Sequence, residues 1–281
     1  MNAGATTAGL GLCAATTWGG SDFVGGLGAR RASAIRIVAC DHLSSFLVLL
    51  AYCMAVQLPL AAPSDLLFAS LGGFVGALGL VVFYRALAMG AMGLTAALTG
   101  LVTALEPVLF AFMRQGLPPV VTLAGISLGL VAIWLITCTP ANGGQRTPPR
   151  ALLLATLAGV CFGAQLVLFK LAAGGGMVWT MTSARCAGSV AMLLAVALAP
   201  QKGDWKGFWG PGLITGVLDT AGNFFYLAAA QVGRLDVAAL VASMYPAGTI
   251  LLAAVVLRER PTRRQLAGMG LALGAVLLLS A

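Results

Sequence analysis

The stretch Ala242-Ser-Met-Tyr245-Pro246-Ala-Gly-Thr-Ile-Leu-Leu-Ala-Ala-Val-Val-Leu257-Arg258-Glu259-Arg260-Pro261-Thr-Arg263-Arg264-Gln265-Leu-Ala-Gly268 sets the plan of this chain. It places a proline inside an otherwise uninterrupted apolar helix, follows it with a basic turn, and then begins a second apolar helix. About 140 residues earlier a weaker version runs from Leu105-Glu106-Pro107 through Arg114 and Pro118 to Leu123-Ala124-Gly125. Repetition over that distance predicts one structural unit encoded twice, and internal repeats take precedence in reading a fold.

The surrounding composition says what solvent the unit lives in. Hydrophobic residues make up 60% of the 281 and charged residues only 9%, with a mean hydropathy of +0.98. A soluble domain carries about a quarter charged residues. The apolar runs reach about 18–23 residues, enough to cross a hydrocarbon core as helices. Strand-like alternation is absent, so helices are expected to satisfy the backbone in lipid. The first run lacks a basic leader and contains Asp22, which argues against a cleaved signal peptide. The net charge of +8 collects in inter-helix turns rather than on one soluble face, which excludes a nucleic-acid reading. Six cysteines are scattered over the spans and span ends without a paired spacing and read as small apolar residues.

The expected fold is an all-α membrane protein of ten transmembrane helices. They fall at about 7–28, 35–57, 66–88, 92–113, 120–138, 151–172, 177–199, 210–230, 235–257 and 264–280. Ten of the twelve prolines lie between spans or at span ends, and the exceptions are Pro107 and Pro246. The polar segment 139–150 is read as a linker dividing a first five-helix repeat, 1–138, from a second, 151–281. An odd number of spans per copy predicts that the second copy inserts the other way up, giving inverted repeats. Phe83-Tyr84 aligns with Phe225-Tyr226, Trp18-Gly19 with Phe162-Gly163, and Arg36 with Arg185. Gly125-x-x-x-Gly129 and Gly270-x-x-x-Gly274 would supply close helix packing at equivalent places.

Four phrases in order carry a family likeness: Trp18-Gly-Gly-Ser-Asp-Phe-Val-Gly-Gly26, Tyr84-Arg-Ala-Leu-Ala88, Gly216-Val-Leu-Asp-Thr-Ala-Gly-Asn223, and Tyr245-Pro246 through Leu257-Arg-Glu-Arg-Pro261 to Gln265-Leu-Ala-Gly268. Together they resemble the EamA-type members of the drug/metabolite transporter superfamily, over essentially the whole chain. The resemblance implies a ten-helix carrier in a cell membrane of the bacterial inner-membrane type. It would have a central cavity and would move small metabolites, often amino acids, frequently outward. The family's acidic turn is kept at Arg258-Glu259-Arg260 but replaced by Gln115-Gly116-Leu117 in the first half.

Charges inside spans cost about 2.5–3.5 kcal/mol each on insertion scales, so those retained mark cavities or partners. They are Asp22, Asp41, Glu106, Arg185 and Asp219. Asp219, Asn223 and Tyr226 share one helical face at i, i+4 and i+7, and Trp18, Ser21, Asp22 and Gly25 repeat the idea in span one. Thr95, Thr99, Thr103 and Glu106 share one side of span four. Candidate substrate contacts are therefore Trp18, Ser21, Asp22, Tyr84, Glu106, Asp219, Asn223, Tyr226 and Tyr245, with Pro107 and Pro246 as hinges. For Asp219 an interhelical lock, to Arg185, competes with the cavity role. Asp22 and Asp219 are also candidates for proton uptake. No cofactor or metal is expected, because His42 is the single histidine and the carboxylates are scattered. No nucleophile–base constellation points to an enzyme.

The expected function is a secondary transporter of small metabolites, an amino-acid or related exporter working by alternating access. A passive channel or facilitator, a non-transporting membrane partner and a membrane-embedded enzyme are the alternatives. Twelve Lys and Arg flank the odd-to-even turns against three on the other side, which places both termini away from the cytoplasm, whereas the resemblance implies cytoplasmic termini.

Overall fold

The computed structural model describes residues 3–89, 92–137, 147–198, 206–258 and 262–280. Among these the secondary structure is helical, without a strand. The helices are α1 (Ala3–Ala29), α2 (Ala34–Ala55), α3 (Pro63–Met89), α4 (Met92–Gln115), α5 (Val120–Thr137), α6 (Pro149–Leu171), α7 (Met177–Leu198), α8 (Trp209–Val232), α9 (Leu235–Ala242), α10 (Tyr245–Val256) and α11 (Arg263–Ser280). The turn residues Glu259, Arg260 and Pro261, together with Cys138 and linker positions 139–146, lie outside the described residues. Pro149 and Arg150, expected in the linker, open α6, where a missing N–H at the first turn is harmless.

The ninth expected span is two helices. Pro246, second in α10, has no N–H to continue the ladder from Ala242. The chain therefore turns through Ser243 and Met244, whose amides bond back to Ala239 and Val241. Pro107, by contrast, sits inside α4, which runs on to Gln115.

Seven segments are long and apolar enough to cross a membrane among the described residues: α2, α3, α4, α6, α7, α8 and the α9–α10 pair. The sequence expectation of ten exceeds this for a physical reason. α1 has the length, at 27 residues, but is rich in Gly and Thr and carries Asp22. α11 opens on Arg263-Arg264-Gln265, and α5 counts as an apolar helix over Val120–Leu135.

Two packed regions hold the helices together. The larger joins Trp18, Phe83, Tyr84, Phe169, Tyr226 and Tyr245 across α1, α3, α6, α8 and α10. The other joins Val108, Ile133, Leu240, Val241 and Leu279 across α4, α5, α9 and α11. Outer faces are apolar and exposed, as at Val48, Val131, Val217, Val255 and Leu277, while Asp41, Arg185 and Asp236 are buried. Polar inside and apolar outside is the arrangement that a lipid solvent requires.

Close contact depends on glycine where backbones meet. A Cβ on Gly73 of α3 would lie 2.1 Å from the Ala184 carbonyl oxygen of α7. The paired small-residue motifs behave unequally. Gly125 receives Leu279 and Gly129 receives Leu240, but nothing lies within 4 Å of a Cβ on Gly270, and Gly274 makes only an ordinary 3.6 Å contact. The expected packing role therefore holds on α5 and not on α11. At the end of α8, Arg234 grips the buried Asp236 at 2.9 Å and donates to the Gly116 carbonyl at 2.9 Å, tying the α8–α9 turn to the one after α4.

Candidate functional site

A narrow hollow, about 30 Å³ as measured by the centre of a water-sized sphere, sits where helices from both halves of the chain converge. α1 contributes Trp18 and Asp22, one turn apart. α8 contributes Asp219 and Asn223, also one turn apart, and α10 contributes Tyr245. The opposite wall comes from Leu80 of α3, Thr103 of α4, and Phe162, Gln165 and Leu166 of α6. These are six of the ten expected spans.

The aromatic side is built by fit. Gly222 leaves room for the Trp18 indole, which a Cβ there would meet at 2.5 Å. Trp18 stands edge-on to Tyr245 at 6.4 Å between centroids and tilted to Tyr226 at 6.0 Å. Phe83 sits behind, edge-on to both Phe162 and Tyr245.

The polar side is a buried charge network that spans α2, α7 and α8. The Arg185 guanidinium donates from Nη2 to Asp219 Oδ2 and from Nη1 to Asp41 Oδ1 at 3.1 Å. Nη1 also faces His42 Nε2 at 3.4 Å. A guanidinium only donates, so Nε2 must accept, which assigns the proton to Nδ1. From there it meets the Val38 carbonyl at 3.2 Å and Asp41 at 3.3 Å. The His42 ring packs against Gly188. The lock to Arg185 expected for Asp219 is present, and Asp219 lines the hollow as well.

Three polar groups at the hollow are left over. The Asp22 carboxylate takes no hydrogen bond from the described residues. Asn223 donates its amide nitrogen to the Asp219 carbonyl at 2.7 Å, and its buried Oδ1 has no partner. The Tyr245 hydroxyl approaches Thr103 but completes no hydrogen bond of ordinary geometry. Buried polar atoms are normally paired, so unpaired ones that converge on one space mark it as a place for a ligand or water.

Of the nine predicted contacts, Trp18, Asp22, Asp219, Asn223 and Tyr245 reach the hollow. The other four do not line it. Tyr84 is fully buried with its ring over Gly25, and its hydroxyl is 3.4 Å from Ser21 Oγ. Tyr226 donates to the Leu166 carbonyl at 2.9 Å, a link between α8 and α6. Glu106 is half-buried and packs over Gly163 of α6. Pro246 adjoins Tyr245, and Pro107 stands one turn beyond Thr103. The lining residues not proposed as contacts are Leu80, Thr103, Phe162, Gln165 and Leu166. Phe162 is signalled by its alignment with Trp18. Among the described residues no group of three or more His, Cys, Asp or Glu is placed to hold a metal ion.

The sequence of the second half matches a known family over residues 149–281. The model it matches is that of the EamA-like transporter family. The EamA-like match begins at the first residue of α6 and takes in every helix after it. A solved crystal structure superposes with a TM-score of 0.72 at 16% sequence identity over 98% of this chain and 98% of its own, so the likeness extends to the whole fold. It is one of 27 matching chains of solved structures. No curated protein matches the sequence significantly.

Proposed function

We propose that the chain is a ten-span secondary transporter built from two inverted EamA-like repeats, residues 1–138 and 151–281 joined by the 139–150 linker. The ten spans are α1 to α8, the α9–α10 pair, and α11. The helix contacts support this reading, because they survive exchange of the first five helices for the last six. α1 on α8 exchanges with α6 on α3, and α2 on α8 with α7 on α3. α4 on α6 exchanges with α9 and α10 on α1, while α2 on α7 and α5 on α11 map onto themselves. The protein belongs in a cell membrane of the bacterial inner-membrane type and moves small metabolites by alternating access, as an amino-acid or related-metabolite exporter.

One observation carries the carrier reading: a narrow hollow between the halves whose buried acceptors lack partners. The break at Ser243-Met244 and the proline in α4 lie on two helices that flank it, and hinges of this kind let one half rock against the other. Asp22 is the carboxylate available for coupling to protons, since Asp219 is engaged by Arg185.

Counterflow in proteoliposomes tests this. Vesicles preloaded with each member of a metabolite panel take up a labelled trace of the same compound. A carrier accumulates the label transiently above equilibrium, whereas simple equilibration without overshoot establishes a passive facilitator. With a transported compound in hand, Asp22→Asn is expected to abolish flux driven by a pH gradient while exchange at saturating compound continues. Unchanged pH-driven flux removes the proton role.

A further inference from the structure

The oxygens of the hollow define the chemistry of its ligand, an inference that rests on the carrier reading above. Asp22 presents a carboxylate with no hydrogen bond among the described residues, and buried Asn223 Oδ1 and Tyr245 Oη are unpartnered beside it. The Thr103 hydroxyl donates within α4, to the Thr99 carbonyl at 2.8 Å. The hollow thus carries a carboxylate and two further acceptors, beside the N–H donors of Trp18 and Gln165.

Charge decides the ligand. Asp41 and Asp219 hold the Arg185 guanidinium between them, and Asp22 brings a further carboxylate to the hollow. Lys170, the next cation along α6, has its ammonium on the Ala230 carbonyl. Hence no described cation faces the hollow free to meet a ligand carboxylate. Trp18, Phe162 and Tyr245 line the same hollow as Asp22, and ring faces attract cations.

We propose that the hollow binds an organic ammonium ion, a primary amine with an apolar or aromatic body and no carboxylate. Asp22 is its counter-charge, and Asn223 Oδ1 and Tyr245 Oη accept its remaining hydrogen bonds. Leu80 and Leu166 take the apolar body. An amino acid, the other ligand class proposed above, brings the same ammonium group, but its carboxylate enters a space that already holds an excess of negative charge, so of the related metabolites the amine fits better.

The test is equilibrium binding of radiolabelled phenethylamine and phenylalanine to the purified full-length protein in detergent. Phenethylamine is expected to bind about tenfold or more tightly than phenylalanine, the worth of one charge-assisted hydrogen bond. Asp22→Asn is expected to weaken amine binding by about the same factor or more, and Asp22→Glu, which keeps the charge, by much less. If Asp22→Asn does not elute as a monodisperse protein, Asn223→Leu takes its place and is expected to weaken the amine severalfold. Equal affinity for amine and amino acid overturns the assignment, as does amine binding indifferent to both substitutions. Counterflow separates this from the carrier reading. Amine binding with no counterflow of any compound keeps the site and removes the carrier, while counterflow of zwitterions or anions but not of amines keeps the carrier and removes this ligand.

Discussion

Replacing Arg185 with methionine isolates the network that joins α2, α7 and α8. The side chain is almost fully buried and is the cation between Asp41 and Asp219. Its removal leaves two carboxylates facing each other across a low-dielectric interior, while methionine fills much of the volume. Breaking a buried ion pair from one side costs about 3–5 kcal/mol, and here both carboxylates lose the same partner. Arg185→Met is therefore expected to lose stability at the upper end of that range. The triple variant Arg185→Met/Asp41→Asn/Asp219→Asn should recover most of it, because replacing an entire buried charge network is often close to neutral. Equilibrium unfolding in mixed micelles, followed by tryptophan fluorescence, gives both values. If Arg185→Met unfolds within about 1 kcal/mol of the wild type, a shift within reach of ordinary substitutions, or if the triple variant is no better than the single one, the reasoning fails.

Two further substitutions test the packing. Gly73→Ala forces a methyl group into the Ala184 backbone and is expected to cost about 1–3 kcal/mol or more, whereas Gly270→Ala, with open space around it, should gain about 0.5–1 kcal/mol from helix propensity; thermal unfolding ranks the pair. Tyr226→Phe removes the hydrogen bond to Leu166 and should cost about 1 kcal/mol while leaving amine binding unchanged, so a large loss of binding would put Tyr226 back at the ligand.

What could be read from the sequence follows from which signals are local. Apolar run length and turn chemistry located the helices, because in lipid each span must satisfy its own backbone. The i, i+4, i+7 spacing put Asp219 and Asn223 on one buried face, and the position of Pro246 marked the break in the ninth span. Rotation of each helix about its axis is set by tertiary packing. That is why Tyr245 reaches the hollow while Tyr84 and Tyr226, equally plausible by composition, turn into interhelical contacts. The partners of Arg185 lie 144 and 34 residues away in the chain. Sequence could suggest the bond to Asp219, but nothing in the periodicity singled out Asp41 as the second carboxylate. Asp236 was missed for a related reason: it sits at a helix start, where an acidic residue reads as ordinary, and only the structure shows it clamped by Arg234.

The central claim is that the hollow opens in turn to each side of the membrane. A single cysteine at Thr103, on its wall, in a protein whose six native cysteines are replaced, reports this directly through a membrane-impermeant thiol reagent added to one face of oriented vesicles at a time. The account requires modification from both faces, slowed by a bound ligand. Modification from neither face would show a sealed helix contact, and modification from one face alone would show a blind pocket; either result contradicts it.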